Sequence, residues 1–229
     1  MSKSEALPPY KASFIRLLVQ VGALRFGNFV SKAGRHTPYF IDFGSFGRGN
    51  TIARLGQLYA QAIQEQLGDA YDVLFGPAYK GIPLAVTTAA ELARRGKDVG
   101  YCFNRKEAKD HGEGGLFVGQ PLKDGDRVLV IEDVTTAGTS VRETVPLLLK
   151  SAKVKLAGLV VAVDRKERGV GTRSALVELS QEYGMPAFSI VDIDEVIEYL
   201  REHTIDDKRV LSAEQYADAQ AYRRSFGAA

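Results

Sequence analysis

The run VLVIEDVTTAGTS, from Val128 to Ser140, combines four apolar residues, two acids and a hydroxyl-rich turn that contains a glycine. If this run is a strand that leads into a helix, backbone N–H groups of the turn can converge on an anion. The amino end of the helix would add its positive dipole end. Gly138 allows a close approach that a Cβ would obstruct. The pattern therefore predicts a phosphate site.

The two acids of this run, Glu132 and Asp133, would stand beside the bound phosphate. Because carboxylates repel phosphate, we expect them to accept hydrogen bonds from sugar hydroxyls, or to help hold a Mg²⁺ ion that the substrate brings. The plainer interpretation is an acidic pair that caps a helix, followed by threonines in a turn. Each piece is common by itself, and the ordered combination is what indicates a ligand site.

Two other loops carry cations next to glycines. FGPAYKGIPLA, from Phe75 to Ala85, leaves a strand-like run, and its Lys80 could contact a pyrophosphate, although the order of residues is not that of a Walker A loop. In the segment 103–119, cations precede four glycines, as in a flexible lid that closes over a polyanion. These cations are Arg105, Lys106, Lys109 and His111. For either loop alone, a solvated surface loop is the commoner outcome.

The elements that must position these loops follow from hydrophobic periodicity. Apolar residues from Phe14 to Val21 have helical spacing, and Gly22 is placed to end that helix. The stretch 24–46 mixes aromatics with glycines, which predicts a small β subdomain, or hood. Asn50 is expected to cap a helix that ends near Gly68.

After residue 70, short apolar runs alternate with helical stretches, which predicts a parallel sheet covered by helices on both faces. The expected strands are DVLF at 72, DVGYCF at 98, RVLVI at 127, LAGLVVAV at 156 and PAFSIVDI at 186. Pro146 falls inside the helix predicted from about residue 139, where it should kink or break that helix. The tail from Ser212 is predicted to be a further amphipathic helix.

Composition narrows the class of protein. A chain of 229 residues, 45% hydrophobic and 25% charged, can bury one core, so we expect a single domain over residues 1–229. The formal net charge of +2 comes with no polybasic tail, which disfavours a dedicated nucleic-acid or membrane partner. The opening residues lack the apolar stretch of a signal peptide, so a cytoplasmic location is expected. Cys102, the only cysteine, is predicted to be a buried thiol.

The acidic-threonine run resembles the phosphoribosyl diphosphate signature of type I phosphoribosyltransferases. Four more segments occur in the order seen in orotate phosphoribosyltransferases, and together they cover most of the chain from Phe29 to Gly169. They are FVSKAGRHTPYFID, GPAYKG, RKEAKDHGEGG and DRKERG. The resemblance implies the type I fold, an α/β parallel sheet flanked by helices, with a hood at about 1–48 and a flexible lid loop at about 104–119.

The activity that the resemblance implies is that of a pentosyltransferase of de novo UMP synthesis. It would transfer ribose 5-phosphate from 5-phosphoribosyl 1-diphosphate to orotate, giving orotidine 5′-phosphate and pyrophosphate. Mg²⁺ would be the cofactor, carried mainly by the substrate's pyrophosphate and ribose rather than by a dedicated protein site. The partner would be a second copy of the chain, with Arg105 and Lys109 acting across a homodimer.

The resemblance also assigns roles to residues. The donor would bind to Lys32, Tyr79, Lys80, Arg105, Lys106, Lys109, His111, Glu132, Asp133, Val134, Thr135, Thr136, Ala137, Gly138, Thr139 and Ser140. Orotate would bind to Lys32, Phe40, Ile41, Thr136 and Arg165. The catalytic set would be Lys80, Lys106, Lys109, His111, Glu132 and Asp133, with either His111 or Lys109 able to protonate the leaving group. Glu132 stands where many members carry aspartate, a change of one methylene.

Several alternatives stay open from the sequence alone. Phe40 could be an ordinary core residue, and Arg168 competes with Arg165 for the carboxylate of orotate. A purine phosphoribosyltransferase is disfavoured by Lys32 and Arg165, since a guanidinium suits a planar carboxylate. A non-catalytic regulator that keeps this fold should show a basic face or an added DNA-binding module, and the near-neutral chain shows neither.

Overall fold

The computed structural model describes residues 7–30, 34–106, 116–135, 137–169 and 171–228. The helices are α1 (Pro9–Gln20), α2 (Gly49–Leu67), α3 (Gly81–Arg94), α4 (Thr139–Ser151), α5 (Ala175–Tyr183), α6 (Ile193–Glu202) and α7 (Ala213–Phe226). The strands are β1 (Leu24–Val30), β2 (His36–Ile41), β3 (Val73–Phe75), β4 (Gly100–Asn104), β5 (Phe117–Gly119), β6 (Arg127–Thr135), β7 (Lys155–Asp164) and β8 (Ala187–Asp192).

The larger sheet has the order β5-β4-β3-β6-β7-β8, and all of its pairs are parallel except β4 with β5. The predicted parallel sheet is therefore confirmed. Its central strands β6 and β7 are apolar and buried, because helices cover both of their faces. The edge strand β5 corrects one expectation, since residues 117–119 were assigned to the lid loop but pair with Cys102–Asn104.

The predicted hood is an antiparallel pair, β1 with β2, that lies next to α1 and α7. Alternation along β2 buries Thr37 and Tyr39 and leaves Phe40 half-buried. The Phe40 ring lies 5.5 Å from the Phe29 ring, and the Arg25 guanidinium lies 5.2 Å from the Phe40 ring centroid. Phe40 is thus held on the partly exposed face of the hairpin.

Two expectations about helices are wrong in detail. Asn50 does not cap α2, because the helix begins one residue earlier and the carbonyl of the extended Arg48 accepts the Ile52 N–H at 3.0 Å. Pro146 does not break α4, which is helical through Ser151. The proline is exposed, and the opposite face of the helix is buried in the core, so packing compensates for the missing hydrogen bond.

Cys102 is fully buried in β4, as predicted, and burial raises the pKa of its thiol to about 12. It lies within β4, between the edge strand β5 and β3. No helix within the described ranges is long and apolar enough to cross a membrane.

Candidate active site

Those predicted site residues of the large sheet and its loops that the structure describes lie at one edge of the sheet. Because β3, β4, β6 and β7 are parallel, their carboxyl ends meet there, and each is followed by one of the loops that the sequence singled out. The chain continues from β3 to β4 on one side and from β6 to β7 on the other. The loops after β3 and β6 therefore diverge at a topological switch point, where α/β sheets bind ligands.

The loop after β3 is packed too closely for any side chain at its two glycines. A Cβ on Gly76 would lie 2.1 Å from the carbonyl oxygen of Gly81. Within the loop, the Ala78–Tyr79 peptide is cis, and the Ala78 N–H donates to Asn104 Oδ1 at 2.9 Å. The loop is thereby tied to the end of β4. Tyr79 is left 71% exposed, at the site edge.

Lys80 lies directly before α3 and points across the switch point. Its Nζ lies 3.2 Å from Asp133 Oδ2 and 3.6 Å from Asp42 Oδ1. Partial burial lowers the Lys80 pKa, but the two carboxylates raise it more, so the net shift is upward and the ammonium stays charged. Asp42, which follows β2 of the hood, was missed by the sequence analysis. Its only local signal is an acid directly after a strand.

Glu132 and Asp133 end the continuously buried run of β6, with relative exposures of 8% and 9%. The Ser140 hydroxyl donates to Glu132 Oε1, and the Val134 N–H donates to Asp133 Oδ1 at 2.7 Å. Burial raises the pKa of Glu132 to about 7, opposed by the Ser140 hydrogen bond and reinforced by the charge of Asp133. Two adjacent acids therefore occupy different environments, Glu132 against Ser140 and Asp133 against Lys80.

The turn before α4 joins the end of β6 to a helix start, as the sequence predicted. Gly138 has a left-handed φ of +70°, and a Cβ there would lie 2.9 Å from a Leu179 methyl carbon. No side chain of the described residues caps the first turn of α4, so its N–H groups point outward unsatisfied by a cap. Ala137 and Thr139 are exposed, whereas Thr135 is buried. Thr136 lies outside the described residues.

The predicted lid begins at the end of β4. The Arg105 N–H donates to the carbonyl of Leu116 at 2.7 Å, so the two ends of the segment are joined at their base. Lys106 is exposed. The Nε of Arg105 is buried and has no hydrogen-bond acceptor among the described residues. Lys109 and His111 lie outside the described residues, as does Lys32 in the hood.

Arg165 directly follows β7 and is only 12% exposed. It contacts Glu167, and its guanidinium carbon lies 5.1 Å from the centroid of the Tyr39 ring in the hood. Its competitor Arg168 is exposed and donates to the carbonyl of Ser225. Arg165 is therefore the buried arginine next to the hood strand that carries Phe40 and Ile41.

Comparisons with known proteins match this architecture. The family described as the phosphoribosyl transferase domain matches residues 47–190. Orotate phosphoribosyltransferase from Clostridium beijerinckii is 49% identical over 220 residues, 96% of this chain and 98% of that protein. Its counterpart from Pseudomonas aeruginosa is 48% identical over 95% of this chain and 98% of its own length.

A solved structure agrees with these relatives. The crystal structure of orotate phosphoribosyltransferase from Francisella tularensis superposes with a TM-score of 0.80 at 35% identity, covering 94% of this chain and all of that one. Fold, site geometry and near full-length similarity agree, and the chain belongs to the orotate phosphoribosyltransferase family, whose members are pentosyltransferases.

Proposed function

We propose that this chain transfers the 5-phosphoribosyl group from 5-phosphoribosyl 1-diphosphate to orotate at the carboxyl edge of its sheet. The observation that carries the proposal is the meeting of Lys80 and Asp133 across the switch point, at 3.2 Å. The Lys80 ammonium could pair with the pyrophosphate of the donor, and the Asp133 carboxylate could accept hydrogen bonds from its ribose hydroxyls. The two groups lie close enough to contact both parts of one donor molecule. The names of the relatives, up to 49% identical, support the acceptor.

The donor would lie along three loops. The 5′-phosphate would accept hydrogen bonds from backbone N–H groups of the turn 134–140 and of the start of α4. The ribose hydroxyls would donate to Glu132 and Asp133. The pyrophosphate would lie among the cations of the other two loops, Lys80, Arg105, Lys106, Lys109 and His111, with Tyr79 beside it. Among the described residues the buried Nε–H of Arg105 has no acceptor, which supports this assignment, since an anionic acceptor would remove the cost of leaving it without one.

Magnesium fits the carboxylates only as an ion that brings most of its ligands with it. Glu132 and Asp133 are adjacent oxygen donors, but the described residues contain no group of three His, Cys, Asp or Glu side chains that could hold a metal. When bound, Mg²⁺ would offset the charge of the pyrophosphate. The side chains of Glu132 and Asp133 would orient the ribose beneath it.

Orotate would lie between the hood and the Arg165 loop. Phe40 and Ile41 would hold the pyrimidine ring, Arg165 would bind the carboxylate, and Lys32 and Thr136 would contribute polar contacts. A ring nitrogen forms the bond to the anomeric carbon while the bond from that carbon to the pyrophosphate oxygen breaks. Lys80 and the lid cations stabilise the departing charge, and exclusion of water prevents hydrolysis of the donor.

The working assembly is proposed to be a homodimer in which the lid of one copy completes the site of the other. Arg105 and Lys109 are the residues assigned to act in trans. The support for this assembly is the likeness of the segment RKEAKDHGEGG to the lid of orotate phosphoribosyltransferases.

The test is the loss of orotate absorbance when the protein is mixed with 5-phosphoribosyl 1-diphosphate and Mg²⁺, with uracil and hypoxanthine as parallel acceptors. We expect orotate to be consumed with release of one pyrophosphate per orotate, and no turnover of hypoxanthine. Turnover of the purine alone would overturn the acceptor assignment. No turnover with any acceptor would favour a regulator that binds the donor without reacting.

A further inference from the structure

Glu167 is a buried carboxylate at the site edge that has no assigned role. Its relative exposure is 4%, so its charge needs partners within the protein. Its Oε1 accepts hydrogen bonds from Arg165 Nε at 3.0 Å, from Arg165 Nη2 at 2.7 Å and from the Tyr39 hydroxyl at 3.0 Å. Its Oε2 lies 3.7 Å from Arg35 Nη1. Glu167 thus joins the loop after β7 to the hood.

These contacts fix one edge of the Arg165 guanidinium and leave another. Glu167 occupies the edge formed by Nε and Nη2, and within the described residues Nη1 makes no hydrogen bond. The edge formed by Nη1 and Nη2 can therefore receive a planar carboxylate in a bidentate manner. The Tyr39 ring, 5.1 Å away, further restricts the guanidinium. The hydroxyl of Tyr39 stays a donor, because burial and the Glu167 charge raise its pKa.

The backbone of this loop is held by contacts that do not involve the Glu167 side chain. The C-terminal segment, residues 223–228, pairs with it: the Arg168 N–H donates to the Phe226 carbonyl at 3.0 Å, and the Ala228 N–H donates to the Lys166 carbonyl at 2.7 Å. Arg223 also donates to the Lys166 carbonyl at 2.7 Å. Loss of the Glu167 charge should therefore release the Arg165 side chain without releasing the loop.

We propose that Glu167 is a positioning residue that orients the Arg165 guanidinium toward the carboxylate of the acceptor. The inference rests on the proposed role of Arg165. A long arginine side chain loses rotamer freedom when it binds a ligand, and prior orientation by Glu167 and Tyr39 removes that cost from the binding step. The effect should be confined to acceptors that carry a carboxylate.

The experiment compares Glu167→Gln with Glu91→Gln, a matched control that removes the charge of another buried glutamate, one that pairs with Arg94 and Arg95 at the C-terminal end of α3, away from the site. Steady-state kinetics with each substrate varied, and thermal unfolding, are measured for both. For Glu167→Gln we expect the KM for orotate to rise about tenfold, because ordering one long side chain costs that much affinity, with the donor KM unchanged. Glu91→Gln should lower the unfolding temperature, because it weakens two ion pairs of a buried carboxylate, and leave the orotate KM near that of the wild type.

Arg165→Gln and the double variant separate this proposal from the proposed function. The double variant should bind orotate no more weakly than Arg165→Gln alone, because Glu167 acts through Arg165. If Arg165→Gln weakens orotate binding but Glu167→Gln does not, or if Glu167→Gln and Glu91→Gln raise both KM values alike, the positioning role is wrong and the proposed function stands. If Arg165→Gln leaves the orotate KM unchanged, the assigned role of Arg165 is wrong and the positioning role is lost with it. A wild type that does not consume orotate overturns the proposed function itself.

Discussion

At the scale of single residues, the neighbouring acids Glu132 and Asp133 differ in their contacts. Asp133 faces the Lys80 ammonium at 3.2 Å, whereas Glu132 is buried against the Ser140 hydroxyl. The pKa of Glu132, raised to about 7, leaves this carboxyl partly protonated near neutral pH. A ribose hydroxyl would thus meet a carboxyl group that can either accept or donate a hydrogen bond.

The raised pKa of Glu132 predicts a pH-dependent penalty on folding. In the folded protein the pKa of Glu132 is about 7, above its ordinary value of 4.5. The protonated carboxyl is therefore favoured by folding, so its contribution to stability is full below pH 4.5. This contribution is lost as pH rises toward 7, because the buried carboxyl must then ionise. Relative to Glu132→Gln, the wild type should lose up to about 3 kcal/mol of unfolding free energy across that window. Urea unfolding at several pH values measures this. Glu143→Gln, an exposed site on α4, is the control, and a pH-independent difference for Glu132→Gln would contradict the prediction.

Replacing the Lys80 ammonium should damage catalysis rather than folding. Lys80→Met keeps the length of the side chain but removes the charge opposite the pyrophosphate, so kcat/KM for the donor should fall about 100-fold. Lys97→Met is the matched control. The Lys97 ammonium lies 2.7 Å from Asp69 Oδ1, and this ion pair is located before β4, away from the site. Equal losses in the two variants, or no loss in Lys80→Met, would remove Lys80 from the proposed machinery.

At the scale of elements, the site depends on close passages of backbone at strand ends. The loop after β3 passes so near the start of α3 that Gly76 and Gly81 touch through backbone atoms. The turn after β6 needs the left-handed φ of Gly138 and starts α4 without a side-chain cap. Both features place N–H groups and Lys80 at the switch point, so small changes in packing here should propagate to ligand binding.

Gly76→Ala should therefore disturb both stability and activity. The new Cβ would lie 2.1 Å from the Gly81 carbonyl oxygen and 2.5 Å from its carbon, which are backbone atoms that cannot rotate away. We expect destabilisation of about 1–3 kcal/mol and a matching loss of donor affinity. Gly49→Ala is the control, since nothing lies within 4 Å of a Cβ at the start of α2. Unchanged unfolding of Gly76→Ala would show that the loop has room to shift.

At the scale of the whole molecule, the proposed donor-binding and acceptor-binding residues lie in different parts of the chain. The phosphoribosyl transferase match spans residues 47–190 and includes the described donor loops. The hood and the C-terminal segment lie outside that match, yet Tyr39 and residues 223–228 surround Arg165. In the proposed function, the matched domain would bind the donor, and the hood together with the C-terminal segment would complete the site for the base.

The proposed dimer predicts that two inactive variants regain activity when their subunits are mixed. Lys80→Met protein has an intact lid, and an Arg105→Ala, Lys109→Ala protein has an intact Lys80. If the lid acts in trans, mixed dimers contain one complete site, so random exchange should restore about a quarter of wild-type activity. Activity is assayed before and after subunit exchange, with sedimentation to establish the dimer. No recovery after verified exchange would mean that the lid acts within its own subunit.

Much of this architecture is readable from local sequence. Apolar periodicity predicted the α/β sheet, the N-terminal helix ended by Gly22 and the loops that leave β3 and β6, because each is encoded within a short window. Local patterns failed where a neighbour decides. Helix α2 begins before Asn50, with Arg48 rather than Asn50 at its N-cap position. Helix α4 continues past Pro146 because its other face is buried. Strand β5 forms only because it pairs with β4.

The sequence by itself determined where the loops after β3 and β6 begin, since a strand, a glycine and a helix start are each encoded locally. Only the tertiary structure decided which side chains meet there. Asp42 contacts Lys80, and Tyr39 contacts Glu167 from 128 residues away in the chain. Such pairs depend on the order of strands in the sheet and on how the hood docks. Neither can be predicted from the spacing of residues along the chain.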